Sequence, residues 1–413
     1  MKIGSQKTTR CREESLNPSH VIAFALFLIF PAIAPFVKRA GTPILVAAGL
    51  YGSYILWRGE KLGKVLKSQC RKSSSLLFAA FMTWALISLA WTPSLFRGLH
   101  SLLVALLLVF SIMIVSAFPL SKYVSRFLAL GLIIGGTVIA IDLLTGLKVL
   151  LMLDSKHKIY YYNQVLTTYS ILAAALLSKV ASLGSRTAFY ILILLTGVAF
   201  LSNSQTAQTS FIIIPLVYIT TAKLNWRYIK FPLLTGLAFL WLAALNGSQF
   251  LANLKDIIPE SMWEAGNSNV RLRIWHGFAE LASHGLPIGW GIESSSAATN
   301  LSYFFTASKQ VQFELTYWHP HNNILQIAVE LGLVGFFLSY LIAGILICNE
   351  AKRNPTQINS LLSFVCVVIF IGSVSHGFWQ SWWWTAILIG WYCMKTPFSE
   401  PQDAAAKAMH KPV

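Results

Sequence analysis

Charged residues are scarce in this chain of 413 residues, because Asp, Glu, Lys and Arg together make up 11% of it while 55% is hydrophobic. A soluble domain typically carries about 25% charged residues, so the composition excludes an ordinary soluble protein. Acidic residues are the scarcest, with 15 against 32 basic ones and a formal net charge of +17. We expect a single polytopic membrane domain over residues 1–413, without separate soluble domains.

Cysteines are few, and none shows the spacing of a metal site. None falls in a segment that we place on the outer side of the membrane, so disulfides are not expected. The five are Cys11, Cys70, Cys348, Cys366 and Cys393. A small-residue cleavage site is also lacking after the first apolar run, residues 21–37. We therefore interpret that run as an uncleaved first span and not as a signal peptide.

Long apolar segments recur along the chain, and a helix needs about 20 such residues to cross a bilayer. The fold class that this predicts is an all-α integral membrane protein with about 12 transmembrane helices. The twelve segments are residues 20–37, 41–57, 75–92, 99–117, 127–145, 164–180, 188–202, 209–221, 231–247, 322–348, 359–376 and 382–394.

The basic residues are distributed unevenly between these segments. With the N-terminus inside, 22 of the 32 Lys and Arg fall on the inner side and 10 on the outer side. The positive-inside rule then predicts that both termini are cytoplasmic. The excess charge is a topological signal that also attracts anionic membrane lipids, and we expect no nucleic-acid partner.

One outer segment, residues 248–320, is a loop of 73 residues before span ten, whereas the other outer loops are short. A helix is predicted in it from Ser268 to about residue 283. Arg271 lies on the apolar stripe of this helix and needs an anionic partner. The alternatives are a phosphate, a carboxylate such as Glu264 and a lipid headgroup. Arg273 points to the opposite side and suits a solvated surface. The stripe consists of Arg271, Trp275, Phe278 and Ala282, with i, i+4, i+7, i+11 spacing.

The predicted helix is followed by residues 284–291, which contain three glycines and one proline. This composition is typical of a tight structural turn. The alternative is that its backbone N–H groups bind an anion.

Two histidines stand where span ten begins, in the run Trp318-His319-Pro320-His321-Asn322-Asn323. We expect Pro320 in the first helical turn, which places His321 at the positive end of the helix dipole. A neutral histidine beside an anion-binding helix end suits a general base for a phosphate-bearing substrate. His319 is a cap or an interfacial imidazole. Zinc on His319 and His321 is an alternative that lacks a third ligand with suitable spacing.

Further polar residues on the outer side complete a cavity around this point. The tryptophans among them either belong to an interfacial belt or stack on sugar faces. Glu330 lies about 13 Å down span ten, too deep to be a direct partner of His321. The polar set comprises Asp142, residues 160–163, residues 202–206, His376 and residues 380–384.

Three motifs together resemble the bacterial O-antigen ligase/polymerase superfamily. They are Arg271-x-x-x-Trp275, Pro287-x-Gly289-x-Gly291, and His321-Asn322-x-x-Leu325-Gln326 followed by Glu330-Leu331-Gly332-x-x-Gly335. The layout of twelve spans with a large loop before span ten is similar too. The resemblance implies a membrane-embedded glycosyltransferase fold at the periplasmic face of the inner membrane. It implies glycan transfer from an undecaprenyl-diphosphate carrier, with neither a nucleotide sugar nor a metal cofactor.

The resemblance also assigns roles to residues. His321 matches the essential histidine, and Arg271 matches the arginine thought to hold the diphosphate. Gln205 stands where the family usually has an arginine, and Gln380 stands where some members have an acid. The phosphate contact of that arginine is either lost in this chain or supplied by another residue, for which Arg97, Lys156 and Lys158 are the candidates on the outer side. We count as substrate-binding residues Arg273, His319, Asn322, Trp275, Gln205 and Gln380.

The expected reaction is ligation of the glycan to lipid A–core, with His321 as general base and Arg271 stabilising the leaving diphosphate. Single displacement would invert the anomeric centre. A polymerase of the same superfamily, which joins two carrier-linked glycans, is the nearest alternative. A transporter or flippase is a third, but it predicts internal repeats and midplane charges that the sequence lacks.

Overall fold

A computed structural model describes residues 17–148, 161–223, 225–245, 268–353 and 357–394. All regular structure in these ranges is helical. The helices are α1 Pro18–Ile33, α2 Gly41–Arg58, α3 Leu62–Cys70, α4 Ser73–Ile87, α5 Leu95–Val115, α6 Val124–Leu144, α7 Tyr161–Leu183, α8 Ser185–Leu201, α9 Gln205–Thr220, α10 Trp226–Leu245, α11 Ser268–Gly285, α12 Ser302–Thr306, α13 Lys309–Glu314, α14 Asn323–Arg353, α15 Ile358–Val374 and α16 Ser381–Met394.

Each of the twelve predicted apolar segments contains a helix. Five helical stretches are long and apolar enough to cross a membrane by length and composition, namely Ser73–Ala90, Leu95–Val115, Val124–Leu144, Tyr161–Leu183 and Asn323–Lys352. The all-helical fold is thus confirmed for the described ranges, whereas the number of crossings stays a prediction. Helix α3 was not predicted, because its lysines interrupt the apolar pattern.

Helix α7 lies at the centre of the bundle, with nearly all its residues buried against α6, α8, α9, α15 and α16. Small residues such as Ala173 let neighbouring helices approach closely. Gly135 of α6 lies directly against the Tyr169 hydroxyl, where a Cβ would have no room. That hydroxyl donates a 2.6 Å hydrogen bond to the Pro31 carbonyl, so α1, α6 and α7 are joined at one point.

The outer surface of the bundle is rich in exposed apolar side chains, which include Leu50, Trp57, Leu103 and Leu144. A monomeric soluble protein rarely exposes a continuous apolar surface of this kind. Together with the apolar helices it indicates a multi-pass membrane protein.

The described residues that precede α14, 268–322, form the helices α11, α12 and α13. Helix α11 packs on α14 and α13. It buries Phe278 and Ala282, as the predicted stripe requires, and it also buries Leu281. The part of the predicted loop before residue 268, Glu264 included, lies outside the described residues. The periplasmic location of the loop stays a prediction.

Candidate active site

Helix α14 is broken at Gly332, whose backbone has φ 61° and ψ −157°. The glycine turn after α11 fills the break. Trp290 N–H donates to the Val329 carbonyl at 2.9 Å, Gly291 N–H donates to the Glu330 carbonyl at 2.8 Å, and Leu333 N–H donates to the Pro287 carbonyl at 2.8 Å. The turn therefore supplies the hydrogen bonds that the broken helix lacks.

Glycine is required on both sides of this contact. A Cβ on Gly332 would lie 2.2 Å from the Pro287 carbonyl oxygen, and one on Gly289 would lie 2.5 Å from the Glu330 carbonyl oxygen. Both glycines have positive φ. Because two of the turn's N–H groups bond to α14, the structural interpretation of the glycine turn accounts for them better than anion binding does.

The start of α14 differs from the expected one. The Asn322 side-chain oxygen accepts from the backbone N–H groups of Ile324 and Leu325, both at 3.1 Å, so Asn322 is the N-cap. The prediction that Pro320 occupies the first turn is wrong, because the cap starts the helix three residues later. His321 precedes the cap with φ 53°, a left-handed conformation that is uncommon without glycine.

The His321 ring is fixed through one nitrogen. Its Nδ1 lies 2.8 Å from the Ser375 carbonyl oxygen, which follows α15. A carbonyl only accepts, so Nδ1 carries the proton and the neutral ring keeps a lone pair on Nε2. His321 N–H donates to His319 Nδ1 at 3.1 Å, and the two rings are 4.1 Å apart.

A third histidine joins this pair. His376 Nε2 lies 3.0 Å from the Ser375 hydroxyl, and its ring packs edge-on against Trp382 at 4.5 Å. Burial and, to a smaller extent, the neighbouring histidines lower the pKa of His319 and of His376 to about 3. Burial and the positive charge of Arg271 also lower the pKa of His321, whereas the Ser375 bond raises it. The cluster is therefore neutral near pH 7.

Arg271 brings a positive charge to the cluster, since it acts on both His321 and His376. Its guanidinium is half-buried, and burial lowers its pKa. Within the described ranges no carboxylate lies within ion-pair distance of it. A cation withdrawn from water needs an anion, so this arrangement suits an anionic ligand. Arg273 is exposed, as predicted, and its substrate contact stays a prediction.

The turn before α9 reaches the same cluster. The Thr206 hydroxyl lies 3.5 Å from the Ser375 hydroxyl, which in turn contacts His376. Gln205, the neighbour of Thr206, is exposed at the first residue of α9. Gln205, which stands where the resembling family usually has an arginine, is thus next in sequence to Thr206, which contacts Ser375.

Gln380 lies near the cluster from the other side. A Cβ on Gly377 would lie 3.4 Å from the Gln380 amide nitrogen and 3.4 Å from the His319 ring. The Gln380 side-chain oxygen accepts from Trp382 Nε1 at 3.0 Å. Trp275 has a buried Nε1 without a hydrogen-bond partner among the described residues, so a donor is left over on the face of α11 that carries Arg271.

Other predicted positions fall elsewhere. The Arg97 guanidinium lies 5.1 Å from the ring centre of Trp318, which precedes His319. Asp142 is buried and accepts from the Tyr162 hydroxyl at 2.7 Å, which is a structural use. Lys156 and Lys158 lie outside the described residues. In the ranges that the structure describes, no group of three His, Cys, Asp or Glu has the arrangement of a metal site.

Sequence reasoning did not single out Ser375 or the role of Gln326. A backbone carbonyl carries no residue signal, and Ser375 is 54 positions from His321. Glu330 does not bond to His321 directly, as predicted. It accepts from Gln326 Nε2 at 2.9 Å and from Trp379 Nε1 at 2.6 Å. The i, i+4 spacing of Gln326 and Glu330 was the available signal.

The fold and the site thus define a helical membrane protein with a half-buried histidine–arginine cluster at the start of α14. Residues 189–340 match a family model described as O-antigen ligase. A Rickettsia felis protein named "Putative polysaccharide ligase" is 31% identical over 131 residues, which are 29% of this chain and 31% of that protein. A Rickettsia typhi protein with the same description is 27% identical over 209 residues, 48% of each chain.

Residues 189–340 are therefore similar to the O-antigen ligase family, which confirms the resemblance inferred from the motifs. This matched segment contains Gln205, Arg271 and His321. The matches span about a third to a half of the length of those curated relatives.

Proposed function

We propose that this protein is a glycosyltransferase that moves a glycan from undecaprenyl diphosphate to a hydroxyl of lipid A–core. The observation that carries the proposal is a neutral His321, held through Nδ1, next to an arginine without a carboxylate partner in the described ranges. The family match and the polysaccharide ligase names of the relatives support the same reaction class.

In this proposal His321 Nε2 takes the proton of the acceptor hydroxyl. The hydroxyl oxygen attacks the anomeric carbon, and the bond from that carbon to the diphosphate oxygen breaks. Arg271 neutralises the charge that builds on the departing diphosphate. A general base commonly contributes about 10²–10⁴-fold in rate, and a positioned charge about 10²–10³-fold. Single displacement inverts the anomeric centre, and the step needs neither a metal nor a cofactor.

The remaining residues are proposed to bind substrate around this pair. Gln205 is the sequence neighbour of Thr206, which contacts Ser375, and Gln380 lies near the His319 ring. Trp275 offers its unpaired Nε1–H next to Arg271. The other proposed substrate contacts are His319, whose ring packs on that of His321, together with Asn322 and Arg273.

The proposed location is the bacterial inner membrane, where the undecaprenyl carrier resides. Both termini are proposed to lie in the cytoplasm, since 22 of the 32 basic residues then face inward. The cluster would face the periplasm, on the same side as the segment between α10 and α14.

The test is glycan transfer in a host that lacks its own ligase. Wild type, His321→Ala and Arg271→Ala are compared at equal membrane abundance, with lipopolysaccharide ladders on gels and carrier-linked glycan assayed separately. We expect glycan on lipid A–core in the wild type and a loss of about 10²-fold or more in both variants. His284→Ala, an exposed histidine of α11, is the matched control.

Three results would contradict the proposal. Full transfer by His321→Ala would exclude a general base at this position. Longer carrier-linked chains without attachment to lipid A would assign the protein to the polymerases. Movement of carrier-linked glycan across the membrane with no transfer would instead favour a flippase.

A further inference from the structure

Glu330 is a fully buried carboxylate in α14, and three N–H groups surround it. Its Oε2 accepts from Trp379 Nε1 at 2.6 Å and from Glu293 N–H at 2.8 Å. Its Oε1 accepts from Gln326 Nε2 at 2.9 Å. A buried carboxylate is costly unless such donors surround it, so the site is built to hold a group that only accepts.

Gln326 extends this set toward the loop between α15 and α16, residues 375–380. The Gln326 Oε1 atom accepts from Phe378 N–H at 2.7 Å. Two successive residues of the 375–380 loop, Phe378 and Trp379, are therefore bonded to α14 through one Gln–Glu pair. Gln326 is 3% exposed, so water does not compete for these bonds.

The same loop begins with Ser375, whose carbonyl holds His321 Nδ1. The loop is thus tied to the start of α14 at His321 and tied again, further along the same helix, at Gln326 and Glu330. If the second tie is lost, the Ser375 carbonyl is no longer fixed relative to the His321 ring.

We propose that Gln326 and Glu330 form a clamp that holds the 375–380 loop and thereby orients His321. Both are positioning residues, since neither bonds to His321 itself. The effect of the clamp on the rate of glycan transfer rests on the proposed function. Its effect on the position of the 375–380 loop does not.

The direction of the hydrogen bonds permits a sharp test by exchanging the two side chains. In Glu330→Gln an amide nitrogen replaces one acceptor, so either a Trp379 or a Gln326 donor loses its partner. In Gln326→Glu two carboxylates face each other. In the double variant, the new amide at position 330 can accept from Trp379 and Glu293 through its oxygen and donate to the new carboxylate at position 326. That carboxylate then accepts from Phe378, so every bond is restored.

The first measurement is hydrogen–deuterium exchange of the full-length protein in detergent, read on peptides that contain residues 375–380. We expect faster exchange in both single variants and wild-type exchange in the double variant. Diethyl pyrocarbonate modification of His321, followed by mass spectrometry, should accelerate in the single variants and return to the wild-type rate in the double variant. Neither measurement requires glycan transfer.

The second measurement is the kinetics of glycan transfer. A misplaced catalytic group can cost about 10²-fold in rate. We expect kcat to fall by about that factor in Glu330→Gln with KM for the carrier-linked glycan unchanged, because Arg271 is untouched. The double variant should recover most of kcat. The charged and titratable groups around His321, namely Arg271, His319 and His376, are the same in all variants.

Glu314→Gln is the matched control, because it changes another buried glutamate that accepts from a glutamine four residues earlier. Glu314 accepts from Gln310 Nε2 at 3.1 Å and faces His276 Nδ1 at 2.8 Å. This variant should leave both exchange in residues 375–380 and the modification rate of His321 unchanged.

Unchanged exchange in Glu330→Gln, or a double variant as loose as the single ones, would overturn the clamp. A wild-type protein without transfer would overturn the proposed function and leave the exchange result to decide the clamp. A fall in kcat without any change in exchange would also contradict the positioning role.

Discussion

A single hydrogen bond decides which nitrogen of His321 can accept a proton. The Ser375 carbonyl accepts a hydrogen bond from Nδ1–H of the ring, which leaves Nε2 as the basic atom. Burial and the charge of Arg271 keep the ring neutral, so it is ready to act as a base at neutral pH. Arg271 therefore has two effects in the proposed reaction, one on the leaving group and one on the protonation of the base.

The second effect can be measured with Arg271→Gln. Arg271 lowers the pKa of His321, so removal of its charge raises that pKa. A base must be deprotonated to act, and the acidic limb of kcat/KM against pH should therefore move to higher pH. The rate itself should fall by about 10²-fold or more.

Arg273→Gln is the control for this profile, because it removes the same charge from the exposed side of α11. Its acidic limb should stay at the wild-type pH, whatever happens to the rate. An unmoved limb in Arg271→Gln would show that the arginine does not act on the base.

At the scale of elements, the site depends on the contact between the glycine turn and the break in α14. Three backbone hydrogen bonds join them. The contact sets where Glu330 and Gln326 lie relative to the 375–380 loop. A helix interrupted at membrane depth is tolerated where protein groups satisfy its freed backbone, and here the turn does so.

Gly332→Ala should disrupt this contact. Its Cβ would lie 2.2 Å from the Pro287 carbonyl oxygen, and the backbone region at φ 61° and ψ −157° is almost restricted to glycine. Backbone strain of this kind costs about 1–3 kcal/mol before the clash is counted. We expect a lower Tm of the detergent-solubilised protein and loss of transfer.

Gly344→Ala in the same helix provides the comparison. Its Cβ would lie 3.5 Å from a Leu234 methyl group, an ordinary contact, and alanine favours helix over glycine by about 1 kcal/mol. This variant should be as stable as wild type or more stable. Equal stability of both variants would mean that the break at Gly332 is not needed.

Whether a helix, a cap or a helix break could be predicted depends on whether nearby residues alone determine it. The long apolar helices follow from apolar runs and were predicted, whereas the short helices α3, α12 and α13 were not. The Asn322 cap and the break at Gly332 were not, although Asn is a common cap, because Pro320 offered a competing start. The need for a glycine at position 332 is visible only once Pro287 lies against it.

At the scale of the whole molecule, the proposed topology places Cys70 in the cytoplasm. Cys70 is an exposed free thiol, whereas Cys393 is buried. In a Cys11→Ser background, a membrane-impermeant maleimide should label Cys70 only after the inner membrane is permeabilised.

Asn300→Cys is the matched probe for the opposite side, since Asn300 is exposed between α11 and α14. It should react in cells with an intact inner membrane. Labelling of Cys70 in such cells would contradict its cytoplasmic location and therefore the proposed twelve-span topology.

The sequence by itself determined the helical membrane character, the similarity to the O-antigen ligase family and the choice of His321 and Arg271 as candidate site residues. The length of apolar runs, the distribution of basic residues and short motifs are properties of the sequence itself. They can be recognised without the contacts between distant residues. The tertiary structure decided that Ser375 orients His321, that Thr206 reaches the same cluster and that Gln326 and Glu330 hold the 375–380 loop. These contacts join residues far apart in the chain, and their hydrogen bonds exist only after α9, α14 and α15 have packed together.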